Sequence, residues 1–159
     1  MITVVQNIIT DIEINEFIEY YKNNLDKAQR PENSYGRETV YKFEGISIID
    51  NISDFTFLKR IRYKNYDRIR IQKVDNTIDM ILKPHVHTPP FSYVVFLNDD
   101  FEGGDIIFDN IRIKPKKGQL LYFDKNESHY VENVINGERY TLVGFTNDAE
   151  FNPLKLNLI

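Results

Sequence analysis

The chain has 159 residues, is 42% hydrophobic and 13% aromatic, and carries a net charge of −4. This is the composition of one folded domain with a real core rather than a disordered segment, and it supplies no global basic field that would favour nucleic acid. Cysteine is absent, which excludes disulfides, thiolate metal sites and a thiol nucleophile.

No apolar stretch approaches the roughly 20 residues that span a bilayer, and no basic region followed by an apolar run marks a signal peptide at the N-terminus. The expectation is a soluble cytoplasmic protein (in the host cytoplasm if the source is viral) with no membrane partner. The basic run Arg112-Ile-Lys114-Pro-Lys116-Lys117 reads as a solvated strand end rather than a nucleic-acid patch.

Taken in chain order, residues 2–9 are rich in β-branched side chains and predict a strand. Thr10-Asp-Ile-Glu13 matches a capping box, and Ile14, Phe17, Ile18, Tyr21 and Leu25 follow at helical spacing, so a helix is predicted over 11–27 with its apolar stripe in the core. Residues 28–37 carry turn-forming residues and predict a polar loop. Residues 38–50 read as extended, and 53–62 as a short helix.

From 68 onward only strands are predicted, at 68–74, 78–84, 92–98, 105–109, 111–114, 119–124, 129–135 and 139–146. The links between them, Asp75-Asn76, Glu102-Gly103-Gly104, Asp109-Asn110, Lys117-Gly118 and Asn136-Gly137, favour tight or positive-φ turns. Short strands at this spacing predict a mainly β protein, a double-sheet jelly roll or barrel, with an N-terminal strand and one or two helices added. One domain covers 1–159: an N-terminal α/β support over 1–67, the β core over 68–146 and a tail over 147–159.

The chain has three histidines, His85, His87 and His129. His85 and His87 are two apart, so an extended backbone turns both imidazoles to one side. They form a chelating pair, with His129 as the candidate third ligand. Imidazole suits zinc, copper, nickel and non-haem iron alike, so the ligand type does not name the metal.

The segment 84–108, PHVHTPPFSYVVFLNDDFEGGDIIF, resembles the Fe(II)/2-oxoglutarate dioxygenases of the prolyl 4-hydroxylase type. Leu97-Asn98 and Phe101-Glu102-Gly103-Gly104-Asp105 stand where that family carries Leu-Asn and Phe-x-Gly-Gly-Glu. Pro115-Lys-Lys-Gly118, the apolar Leu120-Leu-Tyr-Phe123, His129 and Arg139 follow in the family's order. The resemblance covers about 68–146 and implies a double-stranded β-helix, a cupin-like jelly roll. It implies Fe(II) as metal, 2-oxoglutarate as cosubstrate, O2, and a peptidyl or small-molecule substrate that is hydroxylated as the keto acid is decarboxylated to succinate.

Residue by residue, the resemblance gives His85 and His129 as metal ligands and Arg139 as the cation that clamps the far carboxylate of 2-oxoglutarate, with Thr141 sharing it. A planar guanidinium suits that bidentate contact. Phe96 stands where some members have a tyrosine that also contacts the keto acid.

His87 departs from the family, whose pattern is His-x-Asp, and is similar to phage-type members with His-x-His. As a third ligand it would leave the site one unit more positive than a carboxylate would. The alternatives are a replacement acid (Asp99, Asp100 or Asp105) and a site that has lost iron-dependent turnover. Two other functions stay open: a non-catalytic jelly-roll binding module, and a three-histidine dioxygenase that uses no 2-oxoglutarate. Gly103-Gly104 read as turn residues, and Tyr93 and Tyr122 as core or pocket lining. The loop 28–37 and the stretch 60–67 are the expected pocket rim.

Register adds one demand. If Asn136-Gly137 closed a two-residue hairpin, Arg139 would face Val134 and His129 would pair with Gly144, and Arg139 would point away from the side of His129. The site works only if Asn136-Gly137 is a corner between two sheets or if a bulge intervenes; the resemblance places the two strands in different sheets and so implies the corner.

Overall fold

The computed structural model describes residues 1–35, 38–41, 43–61, 66–78, 84–87 and 90–147. The chain opens with strand β1 (Ile2–Val5) and helix α1 (Asp11–Asn23), followed by β2 (Glu32–Tyr35), β3 (Glu38–Tyr41), β4 (Glu44–Ser47) and helix α2 (Thr56–Arg60). The core strands are β5 (Tyr66–Val74), β6 (Phe91–Phe96), β7 (Glu102–Gly103), β8 (Ile106–Phe108), β9 (Ile111–Ile113), β10 (Leu120–Asp124), β11 (His129–Val131), β12 (Val134–Asn136) and β13 (Arg139–Thr146). A six-stranded sheet runs β1-β10-β6-β13-β5-β4, and a three-stranded sheet runs β11-β8-β9.

Period-two alternation divides the buried residues between two cores. Tyr93, Val95, Leu120, Tyr122, Tyr140 and Leu142 turn to one side of the large sheet and pack with Ile14, Phe17 and Tyr21 of α1 and Phe57 and Leu58 of α2. Val94, Phe96, Leu121, Phe123, Val143 and Phe145 turn to the other side and meet Ile106 and Phe108 of the small sheet. The second core lies between the two sheets of the roll. Fully burying a side chain such as Phe17, which is 0% exposed, stabilises by about 2 kcal/mol. Tyr93 belongs to the helix side, where its ring lies against Gly144 and leaves no room for a Cβ there.

The capping box forms as predicted. The Thr10 hydroxyl accepts from the Glu13 amide at 3.1 Å, and the Thr10 amide donates to Glu13 at 3.0 Å. Glu13 also receives Arg60 of α2, whose Nε donates at 3.0 Å and Nη2 at 2.9 Å, so one buried carboxylate ties the two helices together.

Several expectations are corrected. The strand over 2–9 ends at Val5, because Asn7 adopts φ 52°. The helix over 11–27 ends at Asn23. The side chain of Asn24 donates to the Tyr20 carbonyl at 2.7 Å, and only a 3-10 turn at Leu25–Lys27 follows. The polar loop over 28–37 contains β2, which forms a hairpin with β3, and the extended run 38–50 gives way to a 3-10 turn at Ile49–Asp54.

The strand over 129–135 divides into β11, paired with β8, and β12, paired with β7. The division falls at Glu132-Asn133, where the Asn133 carbonyl accepts from Gly104 at 3.1 Å. Of the strand over 78–84, residues 79–83 lie outside the described residues, as do 36–37 and 62–65 of the expected rim and 148–159 of the tail.

Asn136-Gly137 is the implied corner. Strand β12 pairs with β7, whereas β13 pairs with β5 and β6 in the large sheet. The turn-forming glycines 103, 104, 118 and 137 all have φ between 72° and 84°, a region in which only glycine is unstrained. No described helix is long and apolar enough to cross a membrane.

Candidate metal and keto-acid site

His85 and His129 lie opposite one another in an isolated antiparallel bridge. His85 N donates to His129 O at 2.9 Å, and His129 N donates to His85 O at 3.0 Å. Facing residues share a side, and the two rings are 4.5 Å apart between centroids. His87 is on the same side by alternation, its ring 5.3 Å from that of His85 and 4.5 Å from that of His129.

One ligand atom from each histidine lies within 4.8 Å of the other two. With metal–nitrogen bonds of about 2.1 Å, neighbouring ligands on one tetrahedral or octahedral ion are about 3.0–3.4 Å apart, so loading would need the widest-spaced rings to close by roughly 1–2 Å. His85 is exposed, His87 half-buried and His129 buried, and this is the cluster of potential ligands found among the described residues.

The orientation of two rings is fixed from behind. His129 Nδ1 donates to the Glu127 carbonyl at 3.0 Å, which leaves the lone pair on Nε2. His87 Nδ1 engages the Ser92 hydroxyl at 2.8 Å, and Ser92 is itself buried. This is the backing that metal-binding imidazoles need.

Burial pushes His87 down to about 3, aided by the positive character of His129, His85, Arg70 and Arg68 around it. Burial likewise brings His129 down to about 4, against the opposing hydrogen bond to Glu127. Both rings are neutral at pH 7, the form that binds a metal. Phe123 and Phe145 flank His87 at 5.7 and 5.1 Å, and Phe108 and Phe123 flank His129 at 5.4 and 4.8 Å.

Phe145 begins a row that leads away from the histidines. Residues 139, 141, 143 and 145 of β13 share one face, and the row ends at Arg139, which is 4% exposed, and Thr141, which is 0% exposed. Arg139 Nε and Thr141 Oγ1 are buried with no hydrogen-bond partner among the described residues. The guanidinium lies 5.4 Å from the Phe96 ring. Burial lowers Arg139 to about 10, with Asp105 opposing the shift, so it stays charged at neutral pH. A buried guanidinium N–H and a buried hydroxyl without partners among the described residues are costly, and a carboxylate has the chemistry that would satisfy both.

Arg139 is held by its neighbours. The Asn98 side chain donates to the Glu138 carbonyl at 2.7 Å and accepts from the Tyr140 amide at 2.8 Å. Gly104 does more than turn the chain: a Cβ there would come within 2.8 Å of Arg139 Cδ.

The alternative acids are engaged elsewhere. Asp99 accepts from the Lys117 amide at 3.1 Å, Asp100 from Asn98 at 2.7 Å, and Asp105 from Arg112 at 3.1 Å. Arg112 also meets Glu132, and it is exposed as expected of a solvated strand end.

Sequence reasoning missed Ser92 and Glu127 behind the histidines, and it missed Arg68, Arg70 and Gln72 of β5. These last three lie opposite Phe145, Val143 and Thr141 in the ladder and share the inner face. The alternation of 68–74 was the available signal, but only the register with β13 tells which face is inward.

A family model described as the 2OG-Fe(II) oxygenase superfamily matches residues 66–147. Rat prolyl 3-hydroxylase 2 is 33% identical over 75 residues, an alignment covering 41% of this chain and 11% of that protein, so the chain corresponds to a small part of it. Among solved structures, the 2-oxoglutarate complex of the viral collagen prolyl hydroxylase of Paramecium bursaria Chlorella virus-1 is similar, with 19% identity, coverage of 91% of this chain and 94% of that one, and a TM-score of 0.60. The Trichoplax adhaerens prolyl hydroxylase bound to a hypoxia-inducible-factor peptide fragment has 14% identity, coverage of 98% and 87%, and a TM-score of 0.68. These likenesses establish the double-stranded β-helix fold.

Proposed function

From the premise that the chain belongs to the 2OG-Fe(II) oxygenase superfamily, we propose that it is a three-histidine hydroxylase in which His85, His87 and His129 hold Fe(II), while Arg139 and Thr141 take the far carboxylate of 2-oxoglutarate. Fe(II) and 2-oxoglutarate are the cofactors of that family. When bound, they supply O2 activation and the oxidative decarboxylation that yields succinate.

The chain's own residues do the positioning. Ser92 and Glu127 fix the rings of His87 and His129. The Phe108, Phe123 and Phe145 rings cover His87 and His129 with apolar surface and leave His85 on the exposed side. As ligands, three imidazoles would add no negative charge to the metal and would leave a doubly charged iron more of its charge for the anionic cosubstrate. The observation that carries the reading is the pair of unpartnered buried atoms, Arg139 Nε and Thr141 Oγ1, on the face that leads to the histidines.

A peptidyl substrate is supported by the likeness to proteins named as prolyl hydroxylases, one of them holding a peptide fragment. The reading is tested by titrating anaerobic apo-protein with Fe(II) and then with 2-oxoglutarate while following the visible metal-to-ligand charge-transfer band. The band is expected only after both additions. Metal uptake with no keto-acid band would favour a three-histidine dioxygenase without 2-oxoglutarate, and no uptake would favour a binding module.

A further inference from the structure

Two cations on the inner face remain once Arg139 is assigned to the keto acid. Arg68 and Arg70 of β5 are two residues apart and face Phe145 and Val143 of β13 across the ladder. Both guanidiniums lie 5.7 Å from the Phe145 ring, and the same ring lies 5.1 Å from that of His87. They therefore stand one aromatic ring away from the histidine cluster. Arg70 is half-buried and also covers the Phe43 ring at 4.3 Å, and Arg68 is exposed at the rim.

Neither arginine forms an ion pair among the described residues, where Arg30, Arg60 and Arg112 all do. With its amide oxygen turned towards Arg70, Gln72 accepts from Nε at 2.6 Å and from Nη2 at 3.2 Å. That leaves three of the five guanidinium N–H groups of Arg70 without a partner among the described residues. Two like charges roughly 7 Å apart along a strand repel one another. Withdrawing an uncompensated cation from water is unfavourable, and the chain as a whole is acidic.

We propose that Arg70, with Arg68 at the rim, binds an oxyanion of the substrate, a carboxylate or a phosphate, and so presents an acidic substrate beside the histidine cluster. This rests on the oxygenase reading for the identity of the site. Arg70 is a specificity-determining residue here, because its planar fork matches an oxyanion in two-point contact. Arg68 steers the same group inward from solvent.

The test is titration calorimetry on the full chain saturated with 2-oxoglutarate, with Zn(II) in place of Fe(II), using benzoate, phenyl phosphate and the neutral isostere benzamide. At least one anion is expected to bind about tenfold or more tightly than benzamide, and the preferred one tells carboxylate from phosphate. Arg70→Gln is expected to reduce that anion to the level of benzamide, Arg70→Lys to retain part of the preference, and the exposed Arg68→Gln to weaken it about threefold.

Equal binding of anion and benzamide overturns the proposal, as does an anion affinity that both Gln variants leave unchanged. Competition between the anion and 2-oxoglutarate also overturns it, because Arg70 would then belong to the cosubstrate. If Arg70→Gln fails to fold, Arg68→Gln still decides. Loss of the charge-transfer band with anion binding intact strikes the oxygenase reading alone, and an intact band without anion preference strikes only this proposal.

Discussion

His85 and His129 face one another as a backbone pair, whatever their side chains bind. Their reciprocal hydrogen bonds, at 2.9 and 3.0 Å, fix the separation of the two imidazoles without help from either side chain. Removing one ring should therefore leave the bridge in place. His129→Ala is expected to lower bound iron at least about tenfold while the far-UV circular dichroism stays that of the parent. Iron content by atomic absorption checks this, and an unchanged value would remove His129 from the ligand set.

Arg139 makes the opposite prediction. Arg139→Gln is expected to leave iron content intact and to raise the 2-oxoglutarate dissociation constant about 10- to 100-fold, the range for losing hydrogen bonds between a charged donor and a carboxylate. Titration of the visible band by 2-oxoglutarate reads it directly. Should the variant saturate at the same concentration as the parent, the keto acid is held elsewhere.

Asn98 brackets Arg139. Its side chain bonds the backbone on both sides of that residue, at Glu138 and Tyr140, and so continues β6 where the ladder stops. Asn98→Ala frees a carbonyl and an amide and is expected to cost about 1–3 kcal/mol of stability. The 2-oxoglutarate affinity should fall in parallel, with iron affinity unchanged. A thermal melt and the same titration separate the two effects. A variant that loses stability but keeps its keto-acid affinity would show that Asn98 does not position Arg139.

Glu13 predicts a dependence on pH. Burial raises its pKa, but the hydrogen bonds from Arg60 and the Thr10 amide and the charge of Arg60 outweigh that, and the folded value lies below 4.5. A depressed carboxylate contributes stability that is complete above the unfolded value and is lost as pH falls through the folded one. The difference in melting temperature between the parent and Glu13→Gln is therefore expected to be constant from pH 7 to about 5 and to shrink below about 4.5. A difference that persists to pH 3 would assign the effect of Glu13 to packing instead.

The parts of the fold legible in the sequence were those set by neighbours along the chain. The Thr10–Glu13 box, the turn glycines and the bounds of β13 all come from local spacing. The hairpin of β2 and β3 was not legible, because Glu32-Asn33-Ser34 shows no alternation. Nor was the break at Glu132-Asn133, which is imposed by the distant Gly104 amide. The three histidines stood out by number and spacing. That His85 faces His129 across a bridge depends on pairing between segments more than 40 residues apart. Arg68 and Arg70 were invisible for the same reason.

Strand β13 separates two kinds of evolutionary change. Tyr140 and Leu142 answer to the helices, whereas Arg139, Thr141, Val143 and Phe145 answer to the space between the two sheets, on the histidine side. Substitutions at the odd positions can reshape the histidine side while the helix-side core keeps its packing, and the reverse holds for the even ones. The exception is Gly144, which the Tyr93 ring holds to a bare backbone. New specificity can thus accumulate along one strand in steps of two residues, with the fold held constant by the residues between.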